Sequence, residues 1–296
     1  MRVLFCTDGS DASYYALNKS LPFINKESSV IDILHIIDWG FIPTTATFAA
    51  EEVFPGYKEV ATKILDKSES IIVSDGFKVG SREYQHGKTA GVILDRLKSK
   101  NYDLVVMGSH GKKGFQNWLG SVSRRVVYKS QIPVFIARPP KEIVVKPRKL
   151  VVVSCDGSKN SYNAIETFIN LCNLESTDVD IITVRTGVET LPLEITMDNE
   201  WLERSLEKQK ELAEEVLNEA EGIFIKNNKQ IVRYKKSLEG NSAEEILNYA
   251  NENNPDLIVM GSHGREGLSD VLLGSVSKRV LDNSYYPVLI IPKKSN

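Results

Sequence analysis

Short runs of apolar, mostly β-branched residues recur along the chain, and longer stretches with apolar positions three or four apart separate them. The runs over residues 3–7, 30–37 and 257–260 are bounded by glycine, proline or charged residues, which predicts buried strands. Residues 201–220 keep their apolar positions near a 3.6-residue period with charges between them, which predicts an amphipathic helix. This alternation predicts an α/β fold with a mostly parallel sheet covered by helices on both faces.

The same order of elements is predicted in both halves of the chain. In the first half the pattern predicts five strands and four helices, the strands over 3–7, 30–37, 78–86, 104–107 and 134–137 and the helices over 12–20, 51–73, 89–100 and 122–129. The second half follows the same pattern. Each half is therefore predicted to be a five-stranded, doubly wound parallel-sheet domain.

The halves also repeat each other in sequence. Residues 103–111 read DLVVMGSHG and residues 256–264 read DLIVMGSHG; the shorter repeats are VLFCTDGS and VVVSCDGS at 3–10 and 151–158, and GSVS at 120–123 and 274–277. A repeat of about 150 residues matches the size of a whole domain rather than a solenoid unit. We predict two tandem domains, residues 1–140 and 147–296, on either side of a segment rich in proline and charge.

Composition narrows the class of protein. The 296 residues carry a formal net charge of −2 with 42% hydrophobic content, which is typical of a globular protein and argues against a dedicated nucleic-acid binder. Three cysteines without metal-ligand spacing suggest free thiols in a reducing compartment. Because no run approaches the ~20 apolar residues of a membrane span and the first residues do not form a signal peptide, we expect a cytoplasmic protein.

A glycine-rich turn follows the fourth strand of each half. In the second half the strand over 257–260 leads into Gly261-Ser262-His263-Gly264, and Gly274-Ser275 then opens a helix. Glycine lets a backbone approach a ligand closely, and the free N–H groups of a helix start favour an anion. Asp8 and Asp156 follow the first strand of each half, so they are expected at the same edge of the sheet, where ligands of such sheets bind. The combination suits a phosphate-containing ligand.

These motifs resemble the universal stress protein family, and the resemblance covers both halves. Its nucleotide-binding members carry Gly, two residues, Gly, nine residues, then Gly-Ser or Gly-Thr, which the second half matches in full. The resemblance implies a Rossmann-like, adenine nucleotide α-hydrolase-like fold with ATP in an extended groove. It further implies that Asp156 and Val184 hold the adenosine end, and that the ribose and phosphates contact Gly261, Gly264, Gly274, Ser275, Val276 and Ser277.

The first half departs from this pattern by one residue. Eight residues, KKGFQNWL, separate Gly111 from Gly120, so the motif is one residue short. Since a helical residue rises about 1.5 Å, such a deletion can shift the phosphate-binding backbone. We therefore expect the second domain to hold the better ATP site, and the pattern leaves open whether the first binds nucleotide. Its candidate residues are Asp8, Ile36, Gly108, Gly111, Gly120, Ser121 and Ser123.

Several of these residues also have a plainer interpretation. The two Asp-Gly-Ser segments suit turns with helix N-caps, and Ser123 and Ser277 suit first-turn caps; these roles can coexist with ligand binding. His110 and His263 lie in the Ser-His-Gly turn, where packing beside the loop is favoured over metal ligation, because no His, Cys and Asp cluster has ligand spacing. Gly87-Lys88-Thr89 resembles the end of a P-loop, but Arg82 stands where that motif needs glycine.

The sequence thus predicts an ATP-binding, stress-response regulatory protein, with AMP or ADP as other candidates and Mg²⁺ or Mn²⁺ carried by the phosphates. No catalytic residue and no protein-borne metal site are predicted, and at most a slow ATPase is expected. The alternative is an interaction or scaffold protein of the same fold with unused pockets. Family members pair through their last strands, which predicts an internal pseudo-dimer here and leaves a homodimer open.

Overall fold

The structure is a computed structural model that describes residues 1–38, 50–110, 119–139, 147–185, 199–264 and 273–293, with only the backbone described at 50–55 and 199. The chain divides into two compact units. Unit 1 is Met1–Pro139 with Leu171–Asn173, and unit 2 is Pro140–Asn170 with Leu174–Asn296. Each is described by itself below.

Unit 1 is a parallel sheet of alternating strands and helices. Its elements in chain order are β1 (Arg2–Thr7), α1 (Asp11–Ser20), a 3-10 turn (Leu21–Phe23), β2 (Val30–Ile37), α2 (Ala50–Ser74), β3 (Lys78–His86), α3 (Thr89–Ser99), β4 (Leu104–Gly108), α4 (Ser121–Lys129) and β5 (Val134–Ala137). The strand order is β3-β2-β1-β4-β5, and all four pairings are parallel. The order reverses between β1 and β4, which is where ligands bind in doubly wound sheets.

Unit 2 repeats this plan. Its elements are β6 (Lys149–Ser154), α5 (Lys159–Leu171), β7 (Thr177–Arg185), α6 (Asn199–Lys226), β8 (Val232–Glu239), α7 (Ser242–Asn253), β9 (Leu257–Gly261), α8 (Ser275–Asn283) and β10 (Val288–Ile291). The strand order is β8-β7-β6-β9-β10, again with parallel pairings throughout. The predicted α/β class and mostly parallel sheets are confirmed.

The central strands of each unit are buried on both faces. In β1 the side chains of Val3, Leu4 and Phe5 are all at most 1% exposed, as are those of Val151, Val152 and Val153 in β6. Burial of such side chains stabilises the fold by about 1.5–3 kcal/mol each, so the continuous apolar runs are what fix these strands at the centre.

Element boundaries follow local signals that the periodicity alone did not give. The first helix stops at Ser20, as expected, and Pro22 then supports a short 3-10 turn rather than a loop. Helix α6 runs to Lys226, beyond the predicted end at 220, because Phe224 adds one more fully buried side chain to its apolar face. Strands β3 and β8 each contain an irregularity in register near the same point, opposite Asp32 and Asp180.

Candidate functional site

The first strand of each unit ends in an Asp-Gly-Ser turn. One carboxylate oxygen of Asp8 accepts the N–H of Ser10 at 3.0 Å, and one of Asp156 accepts the N–H of Ser158 at 3.0 Å. The glycines between them have φ of +75° and +79°, a region that strongly favours glycine. The turn therefore holds each aspartate at the carboxyl edge of its sheet.

The serines of these turns also begin the next helix. Ser10 Oγ accepts the N–H of Ser13 at 3.3 Å, which caps α1, and Ser158 Oγ accepts the N–H of Ser161 at 3.1 Å. The plainer interpretation of the turns as N-caps is thus correct for the serines.

The neighbouring strand brings the predicted adenosine-binding backbone to the same edge. Strands β1 and β2 pair through Thr7 and His35, so Asp8 and Ile36 follow at the strand ends. In unit 2 the register of β6 and β7 pairs Ser154 with Ile182. Asp156 comes two residues after Ser154, and Val184 comes two residues after Ile182. The same offset in both units gives two equivalent pairs, Asp8 with Ile36 and Asp156 with Val184.

In unit 2 the glycines of the motif close around the end of β9. An ideal Cβ built on Gly264 would lie 2.5 Å from Oδ2 of Asp156, so the turn reaches directly over that carboxylate. The N–H of Gly274 donates to the carbonyl of Ser262 at 2.7 Å, and Ser277 Oγ donates to the carbonyl of Gly261 at 2.8 Å. These two bonds fasten the start of α8 to the end of β9.

Unit 1 makes the equivalent bonds. Gly120 N donates to the carbonyl of Ser109 at 2.6 Å, and Ser123 Oγ donates to the carbonyl of Gly108 at 2.7 Å. Gly111 lies outside the described residues, as do residues 112–118 in unit 1 and residues 265–272 in unit 2. The predicted effect of the missing residue therefore stays a prediction.

The start of the following helix is open in both units. Gly120 and Gly274 occupy the N-cap position and have no side chain with which to cap the first turn. Ser121 and Ser275 are exposed at the first helical position, and Val276 is half-buried. A helix start of this kind favours a negatively charged group, because its N–H groups carry the positive end of the helix dipole.

The hydroxyls of Ser123 and Ser277 have a structural role that the sequence did not reveal. Both side chains are only 4% exposed, and both donate to the strand-end carbonyls described above. They are not simple first-turn caps. Any ligand contact by these residues would therefore use the backbone N–H rather than the hydroxyl hydrogen.

The first glycine of each motif packs differently in the two units. A Cβ on Gly108 would come within 2.8 Å of the backbone of Ala12 and Ser13, so α1 needs glycine there to approach β4. A Cβ on Gly261 would meet its nearest neighbour, the carbonyl of His263, at 3.5 Å, an ordinary contact. Packing explains Gly108, whereas it does not require glycine at 261.

The thiols near the turns are buried and unreactive in character. Burial raises the pKa of Cys6 to about 12 and that of Cys155 to about 11. Both cysteines are free, and Cys155 Sγ lies 3.3 Å from Ser161 Oγ. They are small core residues, and their thiols stay protonated near neutral pH.

Two histidines of unit 1 lie beside the turns. His35 Nδ1 is 2.8 Å from the carbonyl of Thr7, which fastens β2 to the end of β1. The pKa of His110 is lowered by burial first and by Arg138 second, while Asp8 opposes the shift. Within the described ranges, no group of three or more His, Cys, Asp or Glu side chains could hold a metal ion, and no helix is long and apolar enough to cross a membrane.

Comparison with known proteins assigns the family. The model of the universal stress protein family matches residues 1–138 and again residues 147–292. A universal stress protein of Mycolicibacterium smegmatis is 23% identical over 98% of this chain and 96% of its own, and MJ0531 of Methanocaldococcus jannaschii is 34% identical over 49% and 82%. The crystal structure of a universal stress protein from Archaeoglobus fulgidus, 22% identical, covers 99% of this chain and 96% of its own with a TM-score of 0.65, which supports the fold. With both halves matched, the chain belongs to the universal stress protein family, whose members act in the stress response, as a tandem of two such domains.

Proposed function

We propose that this protein binds an adenine nucleotide, ATP in the first place, at the strand-end edge of unit 2, and acts as a regulatory module rather than as an enzyme. The observation that supports this most directly is the closure of Gly264 over Asp156 beside an uncapped helix start. Because the turn carries no side chain there, a ligand can approach the carboxylate and donate hydroxyl hydrogen bonds to it. The uncapped helix start favours the phosphates at the other end of the same ligand.

Each candidate residue has a distinct task in this proposal. Asp156 accepts from a ribose or base donor, and the backbone of Val184 meets the adenine. The N–H groups of Gly264, Ser275 and Val276 face the phosphates, while the Gly274 N–H and the Ser277 hydroxyl keep α8 attached to β9. A triphosphate carries a divalent cation, Mg²⁺ or Mn²⁺, in solution, and the proposal needs no metal ligand from the protein.

Unit 1 is proposed as a second, weaker nucleotide site. It has the same aspartate, the same uncapped helix start and the same serine bonds as unit 2. Its motif is one residue shorter between Gly111 and Gly120. A hydrogen bond from a backbone N–H to a phosphate oxygen needs a donor–acceptor distance of about 3 Å, so a one-residue deletion that moves the backbone lowers affinity there.

The free, buried cysteines support a cytoplasmic location as part of the same proposal.

The test uses the whole chain. Purified protein is denatured and any released small molecule is identified by mass spectrometry, and stripped protein is titrated calorimetrically with ATP, ADP, AMP and cAMP. The proposal expects an adenine nucleotide in the released fraction and one tight site for ATP, with a weaker second site in unit 1. Absence of released nucleotide together with no heat of binding at saturating ATP contradicts it, and leaves the scaffold alternative in its place.

A second measurement separates binding from hydrolysis. Protein saturated with ATP and Mg²⁺ is followed for released inorganic phosphate over several hours. The proposal expects release no faster than from ATP alone, since it assigns no residue the role of a general base. Sustained release above that background, lost with binding-site variants, identifies a slow ATPase instead.

A further inference from the structure

A buried side chain at the end of the first strand anchors the Asp-Gly-Ser turn of each unit. In unit 1 it is Thr7, whose Oγ1 accepts the N–H of Gly9 at 3.0 Å and lies 2.8 Å from Oγ of Ser13 in the first turn of α1. Because Ser13 gives its own hydroxyl hydrogen to the carbonyl of Ser10, Thr7 is the donor toward Ser13. Thr7 therefore links the glycine that follows Asp8 to the next helix.

Unit 2 makes the same link with a sulfur atom, since Cys155 takes the place of Thr7 in the repeat. Sγ of Cys155 lies 3.3 Å from Oγ of Ser161, and Ser161 donates to the carbonyl of Ser158 at 2.8 Å. Burial raises the pKa of the Cys155 thiol, while hydrogen bonding with Ser161 and with the N–H of Gly157 lowers it. The thiol thus donates to Ser161, and its sulfur accepts from Gly157.

The anchored turn carries the carboxylate of the candidate site. Oδ1 of Asp156 accepts the N–H of Ser158 at 3.0 Å and the hydroxyl of the same serine at 2.7 Å. The other oxygen, Oδ2, lies against Gly264. Because Gly157 joins Asp156 to Ser158, a movement of its peptide group displaces both residues and changes the direction of the carboxylate. The bond from Gly157 to Cys155 resists that movement.

The two anchors differ in strength. Sulfur is a weaker hydrogen-bond donor and acceptor than a hydroxyl oxygen, and its contact with the helix serine is longer, 3.3 Å against 2.8 Å. Unit 1 therefore has the stronger anchor beside the shorter glycine motif, whereas unit 2 has the weaker anchor beside the full motif. A binding group that is already held in place loses less freedom when the ligand arrives, so a stronger anchor favours tighter binding.

We propose that Cys155 is a positioning residue for the nucleotide, which holds Gly157 against Ser161 and thereby fixes the carboxylate of Asp156. This inference rests on the proposed function of unit 2 and deepens it, because it assigns a part in binding to a side chain that does not touch the ligand. Cys155 acts through hydrogen bonds and not as a reactive thiol. Thr7 has the same role in unit 1.

The test compares two variants of the whole chain that have the same shape and differ in one hydroxyl group. Cys155→Thr introduces the anchor of unit 1, and Cys155→Val fills the same space without a donor or acceptor. In calorimetry with ATP, the threonine variant is expected to bind at the tight site about three- to tenfold more tightly than the valine variant, the effect of one net hydrogen bond, with wild type between them. Any other order overturns the inference.

A smaller pair of variants covers the case in which the added methyl group disturbs folding, as judged by circular dichroism. Cys155→Ser and Cys155→Ala then replace the larger pair, and the serine variant is expected to bind ATP more tightly than the alanine variant. Equal affinities in this pair also overturn the inference. In unit 1, Thr7→Val is expected to lower the affinity of the weaker site.

A ligand without ribose or base separates positioning from a general loss of structure. Inorganic triphosphate, measured as a competitor of ATP, is expected to bind Cys155→Thr and Cys155→Val equally, because its proposed contacts lie at the start of α8. Asp156→Asn is expected to abolish the difference in ATP affinity between the two variants, since the effect passes through that carboxylate. A difference for triphosphate, or one for ATP that survives Asp156→Asn, shows that Cys155 acts on the whole fold and overturns the inference.

Hydrogen exchange distinguishes failure of this inference from failure of the proposed function. In nucleotide-free protein the amide of Gly157 is expected to exchange more slowly in Cys155→Thr than in Cys155→Val, because only threonine offers it an acceptor. Equal exchange overturns the inference, whatever the protein binds. If exchange differs as expected while neither wild type nor any variant binds a nucleotide, the proposed function fails and the anchor serves the turn alone.

Discussion

Each unit buries an aspartate at the equivalent position, but the arginine that binds it comes from a different strand in each unit. Asp32 in β2 is bound by both Nε and Nη2 of Arg2, which begins β1, and by the hydroxyl of Tyr102 at 2.8 Å. Asp180 in β7 is bound by two nitrogens of an arginine in β8 and by the hydroxyl of Tyr249 at 2.8 Å. What the repeat preserved at this position is a carboxylate bound by one arginine and one tyrosine, and not the positions from which these partners come.

The reason lies in the third strand of each unit. In β8 the arginine is Arg233, the residue after Val232, which pairs with Val179. The corresponding residue of β3 is Gly80, after Val79, which pairs with Ile31. A Cβ on Gly80 would lie 2.2 Å from Oδ1 of Asp32, so a side chain cannot enter from that strand and Arg2 takes its place.

The edge with the candidate ligand site behaves differently. There, around the glycine turn, the same residue types make the same bonds in both units. A serine hydroxyl donates to the carbonyl of the strand-end glycine, and the glycine at the helix start donates its N–H to a serine carbonyl. A second serine hydroxyl lies 2.9 Å from Nδ1 of the histidine that follows it. An ion pair near the beginning of a strand can be rebuilt from any neighbouring strand that reaches it, whereas a ligand of fixed shape requires fixed positions. This contrast supports a shared ligand chemistry at the two edges.

The largest expected effect comes from a charge placed at the helix start of unit 2. Gly274→Asp should abolish the tight ATP site, a loss of at least about a hundredfold, because like charges near 4 Å repel by about 4 kcal/mol in a protein surface environment. Calorimetry of the whole chain measures the number of sites and their affinities.

Gly120→Asp is the matched control in unit 1. It should remove only the weaker binding and leave the tight site intact. A variant Gly274→Asp that still binds at wild-type stoichiometry would show that the tight site is not in unit 2 and would reverse the ranking of the two units.

The next effect concerns stability and separates packing from binding. Gly108→Ala should destabilise unit 1 by about 1–3 kcal/mol, because its Cβ meets the backbone of α1 at 2.8 Å and backbone atoms cannot move aside cheaply. Gly261→Ala at the equivalent position should fold nearly as well as wild type, since its contacts begin at 3.5 Å. Hydrogen exchange read on peptides from each unit measures both.

The same pair of variants tests why glycine is at residue 261. If folding is unchanged and ATP affinity falls, the glycine serves the ligand. Equal destabilisation by the two alanines would instead mean that packing explains both glycines, and that the motif carries less information about binding than its spacing suggests.

Much of this architecture followed from the sequence. Continuous apolar runs identified the central strands, and the repeat of DLVVMGSHG located both turns, because glycine spacing and burial leave direct marks on a sequence. The bonds of Ser123 and Ser277 to strand-end carbonyls could not be foreseen, since a serine in a first helical turn has several partners within reach. The aspartate networks were missed for a related reason: their arginines come from strands that are not equivalent, so alignment of the halves conceals them.

A smaller effect is expected at Gly80, where the neighbour that would be displaced is a side chain. Gly80→Ala should destabilise unit 1 by about 1–2 kcal/mol, because Asp32 must move and weaken its bond from the N–H of Ser81, now 2.8 Å long. Gly91→Ala in α3 is the control, since a Cβ there meets nothing within 4 Å, and it should stabilise the helix by about 0.5–1 kcal/mol. Opposite signs in urea denaturation support the steric account; a stabilised Gly80→Ala contradicts it.

The smallest expected effect is the pH dependence contributed by Asp32. Burial opposes its ionisation and is the largest single influence, but the N–H of Ser81, the hydroxyl of Tyr102 and Arg2 together outweigh it and lower the pKa. Because the folded-state pKa lies below the unfolded value, the stabilisation is complete above about pH 5 and is lost as pH falls through the folded pKa. Asp32→Asn should therefore flatten the decline of unfolding free energy between pH 5 and pH 2.5, and Tyr102→Phe should give an intermediate slope. A decline as steep in Asp32→Asn as in wild type would show that this carboxylate contributes nothing to acid sensitivity, and that the network conserves geometry rather than charge.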